Sequence, residues 1–158
     1  MERRKFIQNT VLFSSLALID PMEIVAGTKA IKEFPIVRVA KDKRNFESDF
    51  IEKTIVEFQK NVKDKELGWL FNNCFPNTLD TTVTYSQKNG RPDTYVITGD
   101  IDAMWLRDSS AQVWPYMAFA GKDAKLKNLI AGVINRQTEY ILKDPYANAF
   151  YNDPNKKG

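Results

Sequence analysis

The run Thr98-Gly-Asp-Ile-Asp-Ala-Met-Trp-Leu-Arg-Asp-Ser-Ser-Ala-Gln-Val-Trp-Pro-Tyr116 packs three aspartates, an arginine, two tryptophans and a glutamine into one stretch. Its apolar positions predict a helix from about Met104 to Ala120, closed by Gly121, which has no Cβ to oppose a helix C-terminus. On such a helix Trp105, Asp108 and Gln112 fall on one face, at spacings of three and four. Asp123 then reads as the N-cap of a second helix. Leu126, Leu129, Ile130, Val133, Ile134, Tyr140 and Ile141 form its apolar stripe, which closes near Asp144-Pro145. Two amphipathic helices joined by so short a loop are expected to pack antiparallel.

Upstream the period changes. Thr81 to Tyr85 and Thr94 to Thr98 are rich in β-branched and aromatic residues, and Lys88-Asn-Gly-Arg-Pro-Asp93 between them supplies turn chemistry. Asn89-Gly90 accepts positive φ, so a β-hairpin is predicted. Before it, Ile51, Ile55, Phe58 and Val62 recur at helical intervals, and a shorter helix carrying Leu67, Trp69, Leu70 and Phe71 should end before Pro76. Residues 28–45, with Pro35, read as an extended lead-in. Residues 151–158 have a loop composition. Two readings of that tail stand side by side: a chain interrupted mid-fold, or a small complete α+β domain with a loose terminus.

The first residues carry a separate signal. Arg3-Arg4-Lys5-Phe6-Ile7 precedes an apolar run from Val11 to Ile19, with small residues at Ala26-Gly27. That order matches a secretory signal over residues 1–27, and the paired arginines look like a twin-arginine export signal. The protein is accordingly expected to be exported, to the periplasm or the extracellular space of a bacterium. The run is shorter than the about 20 apolar residues that span a bilayer, and no membrane anchor is expected. An amphipathic first helix packed on the domain is the alternative.

Composition narrows the chemistry. Hydrophobic residues at 43% and charged residues at 27% describe a globular chain. The net charge of +3, without a long basic run, gives no footprint for nucleic acid, and no such partner is expected. There is no histidine and one cysteine, Cys74, so these residues cannot assemble a Ser-His-Asp or Cys-His nucleophile or a His/Cys zinc site. What remains is carboxylates, amides, hydroxyls, guanidinium groups and aromatic rings.

That set suits a pyranose. A carboxylate accepts hydrogen bonds from two neighbouring hydroxyls, a guanidinium donates several in a fixed fork, and an aromatic ring covers the apolar face of the sugar. The same residues admit a structural reading. Asp108 and Ser109 complement the dipole of a first helical turn. Arg107 can bridge to Asp100, Asp102 or Asp108. Trp114, Tyr116, Met117 and Phe119 read as core.

Three blocks in order, Asn73-Cys-Phe-Pro-Asn-Thr-Leu-Asp-Thr-Thr82, Gly99-Asp-Ile-Asp-Ala-Met-Trp-Leu-Arg-Asp-Ser-Ser-Ala-Gln112 and Asp144-Pro-Tyr-Ala-Asn-Ala-Phe150, resemble glycoside hydrolase family 125, the metal-independent exo-α-1,6-mannosidases. The resemblance covers about residues 35–158. It implies an all-α fold, an (α/α)6 barrel, of which residues 28–158 would be the N-terminal portion of the catalytic domain with a small β-hairpin inserted. It implies removal of non-reducing-end α-1,6-linked mannose with inversion, no cofactor, no metal, and a mannose-containing oligosaccharide or glycan as partner. The acid and base are expected beyond Gly158, so this chain alone is expected to be inactive. It is expected to shape the mannose pocket through Trp105, Arg107 and Asp108, then Asp144, Tyr146 and Asn148. Asp80 reads as either a site or a structural residue, Asp100 as a partner orienting Arg107, and Asp102 as less certain in the pattern. The alternatives are a non-catalytic glycan-binding or structural remnant and another (α/α)6 carbohydrate-active enzyme.

Overall fold

The computed structural model describes residues 34–153, 155 and 156. The export signal expected at 1–27 lies outside them. All elements below belong to the unit Ile36–Gly158.

Helix α1, Asp49–Asn61, starts at Ser48, whose Oγ accepts from the Ile51 amide at 3.1 Å. That bond satisfies one of the orphan donors of a first turn. Helix α2, Lys65–Cys74, starts at Asp64, whose carboxylate accepts from Glu66 and Leu67 amides at 2.9 and 3.2 Å. The two helices meet through rings: Phe58 on Phe71 with centroids 4.1 Å apart, and Phe71 stacked on Phe75 at 4.6 Å. Phe75 continues the line to Tyr116 and Phe119.

A π-helical turn, Thr78–Thr82, leads into β1, Val83–Lys88, which pairs antiparallel with β2, Arg91–Val96. Asn89 and Gly90 link them with φ of 53° and 74°. A two-residue turn with both φ positive twists with the strands it joins, as the sequence predicts for Asn-Gly.

Helix α4, Ala124–Lys143, is capped by Asp123, which accepts from Lys125 and Leu126 amides at 2.8 and 3.2 Å. Its main neighbour is β2 rather than another helix. Thr94 Oγ1 donates to the Leu129 carbonyl at 2.8 Å, and Asn135 Nδ2 to the Pro92 carbonyl at 2.8 Å. Gly132 makes this approach possible: a Cβ there would stand 2.3 Å from Thr94 Oγ1 and 2.8 Å from the Thr94 amide nitrogen. Leu126, Leu129, Ile130, Val133 and Tyr140 are buried, while Ile134 and Ile141 at the edge of the stripe are exposed.

The 98–120 block departs from a single helix. Met104–Trp105 forms a short strand, β3, paired antiparallel with β4, Ala149–Phe150. Helix α3 spans only Leu106–Val113, and Trp114–Phe119 continues as a 3-10 helix with Pro115 in its first turn. Proline lacks the N–H that would continue α3. Of the four aromatic and Met residues read as core, Tyr116 is buried and Phe119 packs against the core, but Trp114 and Met117 are exposed because the tighter 3-10 winding rotates them out. Where α3 meets α4, the Leu106 carbonyl accepts from Gln137 Nε2, in the later half of α4, at 3.0 Å.

The described fold is thus mostly helical, with a two-stranded hairpin and a second, two-residue strand pair. No described helix is long and apolar enough to cross a membrane.

Candidate functional site

The strand pair β3–β4 brings two of the three sequence blocks together. Trp105 stands opposite Ala149, and the Leu106 amide donates to the Asn148 carbonyl at 3.1 Å. The Tyr95 hydroxyl donates to the Phe150 carbonyl at 3.1 Å, and the Tyr140 ring stacks on Phe150 at 4.3 Å, which anchors β4 to the hairpin and to α4. Sequence alone could not reveal this pairing, since two-residue strands are too short to show a period of two.

Trp105, Leu106, Arg107, Asp108 and Asn148 line a cavity of about 320 Å³. Four of the six predicted site residues therefore converge. Arg107 is held lightly: its side chain is 90% exposed, and Nη2 lies 3.5 Å from Asp108 Oδ2. The Trp105 indole Nε1 is buried without a hydrogen-bond partner.

Trp105 also borders a second cavity, of about 440 Å³, whose lining includes Asp144, Phe150, Tyr151, Asp153 and Lys156. Asp144 is the C-cap of α4 and accepts from the Tyr146 amide at 3.0 Å. Tyr146 is 93% exposed and lines neither cavity, so it stands apart from the other five. Asp102 is not Arg107's partner: it accepts from Lys156 Nζ at 2.8 Å, which raises the lysine above its ordinary pKa. Asp100 is exposed in the preceding loop.

Asp80 has a structural duty. Buried at 3% exposure, it accepts from Arg38 Nε at 2.7 Å and Nη2 at 3.1 Å. Gln112, expected beside Trp105 and Asp108, donates instead to the Ile97 carbonyl at 3.1 Å. With Trp105 in a strand, a shared helical face from 105 to 112 does not exist. Beneath the cavity lies Gln137, which the α4 stripe did not single out. Its Nε2 reaches the Leu106 carbonyl at 3.0 Å and the Ser109 and Ser110 hydroxyls at 2.9 Å each.

Comparison with known proteins places this geometry. The chain is 44% identical over 117 residues to the meiotically up-regulated gene 157 protein of Schizosaccharomyces pombe, a match that takes in 73% of this chain and 23% of that protein. It is similar in structure to a metal-independent alpha mannosidase of Streptococcus pneumoniae, solved as a non-productive complex with alpha-1,6-mannobiose, with a TM-score of 0.64 and 43% identity over 72% of this chain and 26% of the other. The chain spans about a quarter of the length of both. Residues 64–158 match the profile of the family described as metal-independent alpha-mannosidase, GH125, and with both blocks of the β3–β4 cavity inside that match, the chain belongs to this family.

Proposed function

We propose that this chain serves a glycoside hydrolase that removes non-reducing-end α-1,6-linked mannose, with inversion and without a metal, and that its part is one wall of the mannose pocket. The observation that carries the reading is the cavity at β3–β4. It gathers an indole ring, a weakly engaged guanidinium, a carboxylate and an amide within a family of α-mannosidases. The pneumococcal relative, solved with alpha-1,6-mannobiose, supports the linkage.

Inversion needs a carboxylic acid to protonate the glycosidic oxygen and a carboxylate to activate water on the opposite face, about 6.5–9.5 Å apart. We assign neither role here. Asp80 is held by Arg38, Asp102 faces Lys156, Asp144 closes a turn, and Asp108 pairs with Arg107. The acid and base belong to the remainder of the parent protein, and the 158 residues alone do not hydrolyse. Export is part of the proposal, supported by the basic start and the apolar run Val11–Ile19.

The test uses the longest reading frame that begins with this chain, incubated with α-1,6-mannobiose in excess EDTA. Free mannose, first appearing as the β-anomer by NMR, is the expected result. A folded, full-length protein that releases none would move the assignment to another linkage, another sugar or a binding role. Mannose release by the 158 residues alone would place the acid and base within them.

A further inference from the structure

The first turn of α3 carries Arg107 and Asp108, yet its N-cap, Trp105, has no side-chain oxygen to receive the turn's free amides. The Leu106 carbonyl is the unusual atom of that turn. It accepts from Ser110 Oγ at 2.9 Å and from Gln137 Nε2 at 3.0 Å, with Ser109 Oγ 3.2 Å away. The same Gln137 nitrogen lies 2.9 Å from each serine hydroxyl. A primary amide has two protons, so the three contacts share them. Hydroxyls that accept from Gln137 keep their own protons for the Trp105 carbonyl, 2.7 Å from Ser109 Oγ, and for the Leu106 carbonyl.

One amide from α4 therefore grips α3 at Leu106 and at Ser109 and Ser110, on either side of Arg107 and Asp108. Ser109 is fully buried, whereas Gln137 is half-buried and Ser110 is exposed, so the grip is shielded from water on its Ser109 side. Arg107, by contrast, meets near its tip, among the described residues, its neighbour Asp108 at 3.5 Å. For a side chain so lightly held, the backbone beneath it fixes the direction of the Cα–Cβ bond and so the region its rotamers reach.

We infer that Gln137 is the positioning residue of the sugar site, fixing through the Leu106 carbonyl the direction in which Arg107 and Asp108 face the cavity. The inference rests on the proposed function and adds to it a residue outside the cavity lining.

The test compares Gln137→Met, which keeps the volume and loses the amide, with Gln137→Glu, which keeps the shape. Both are made in the longest reading frame. Because an error near 1 Å at a bound substrate is costly, Gln137→Met should raise KM for α-1,6-mannobiose about tenfold while kcat changes less than about threefold. Amide exchange should accelerate in residues 104–113 and not in 49–61. Gln137→Glu should behave likewise at neutral pH and recover KM on acidification, since a protonated carboxyl again donates to the Leu106 carbonyl. Gln137→Met should show no such recovery. Unchanged KM in both variants overturns the inference. So does a KM that rises only alongside a lower Tm and faster exchange in both segments. If the unaltered protein releases no mannose, the functional reading falls by itself. Exchange then decides the grip: selective acceleration at 104–113 sustains it, and an even or absent effect ends it.

Discussion

Arg107 and Asp108 border the cavity at β3–β4, joined to each other by a 3.5 Å contact. A side chain that is 90% exposed contributes little to folding, so Arg107→Ala should shift unfolding free energy by less than about 0.5 kcal/mol. Its loss from the proposed mannose site is another matter. A hydrogen bond to a charged group is worth about 1.5–3 kcal/mol, so Arg107→Ala and Asp108→Ala should each lower kcat/KM of the parent enzyme by roughly 10- to 100-fold. Steady-state kinetics on α-1,6-mannobiose, beside urea unfolding of the same preparations, separate the two effects. Unfolding losses as large as the kinetic ones would return both residues to a structural role.

At the scale of elements, α4 is held by its cap and by its contact with β2. Gly132→Ala drives a methyl group into Thr94 Oγ1 and the Thr94 backbone, and the backbone cannot turn away. Overpacking of this kind costs about 1–3 kcal/mol, to be read as a lower urea midpoint with an unchanged slope. A wild-type midpoint in Gly132→Ala would show that α4 stands further from β2 than described.

Asp123 gives the same helix a pH dependence. Burial alone would raise its carboxyl, but the Ser48 hydroxyl and the Leu126 and Lys125 amides outweigh that and hold it below its ordinary 3.8. A carboxyl lowered by folding stabilises the protein above its unfolded pKa, and that contribution is lost as pH falls through the folded one. Wild type should therefore lose part of its margin over Asp123→Ala, about 1 kcal/mol at neutral pH, as the pH drops below about 3.8. A margin that is constant from pH 7 to pH 2.5 in paired unfolding curves would refute the link.

Across the whole unit, buried ion pairs tie distant segments. Arg38, with its side chain 8% exposed, joins the lead-in to Asp80 beyond α2 and to Glu52 in α1. Arg136 joins α4 to Asp93 in β2, with Nε 2.7 Å from Oδ1, and lies between the Tyr95 and Tyr140 rings. Removing one partner of a buried pair leaves a desolvated charge, at a cost of about 3–5 kcal/mol. Arg38→Met should cost that much in chemical denaturation, because Asp80 would retain only Arg44, at 3.8 Å. A loss below about 1 kcal/mol would mean that water reaches Asp80, as it does at exposed pairs.

How much of this was legible in the chain follows from the range of each interaction. The hairpin turn at Asn89-Gly90 and the start of α4 at Asp123 are local. Positive φ and an Asp side chain reaching amides two and three residues on depend on neighbours alone, so the residue types settle them. The convergence of Trp105, Arg107, Asp108 and Asn148 was foreshadowed by two blocks of the sequence, but their meeting was not. It depends on β3 pairing with β4 across more than forty residues, through strands too short to carry a pattern. Tyr146, in the same block as Asn148, points elsewhere for that reason: within one loop, backbone direction is decided by the strand it joins. Gln137 carries no mark at all in one dimension. A polar residue on an amphipathic helix reads as solvent-facing until tertiary packing places its amide against a carbonyl 31 residues away. Residue chemistry and short-range geometry were the sequence's to determine. Which groups share a cavity, and what holds them there, was decided only by the folded chain, because only folding brings distant donors and acceptors within hydrogen-bond reach.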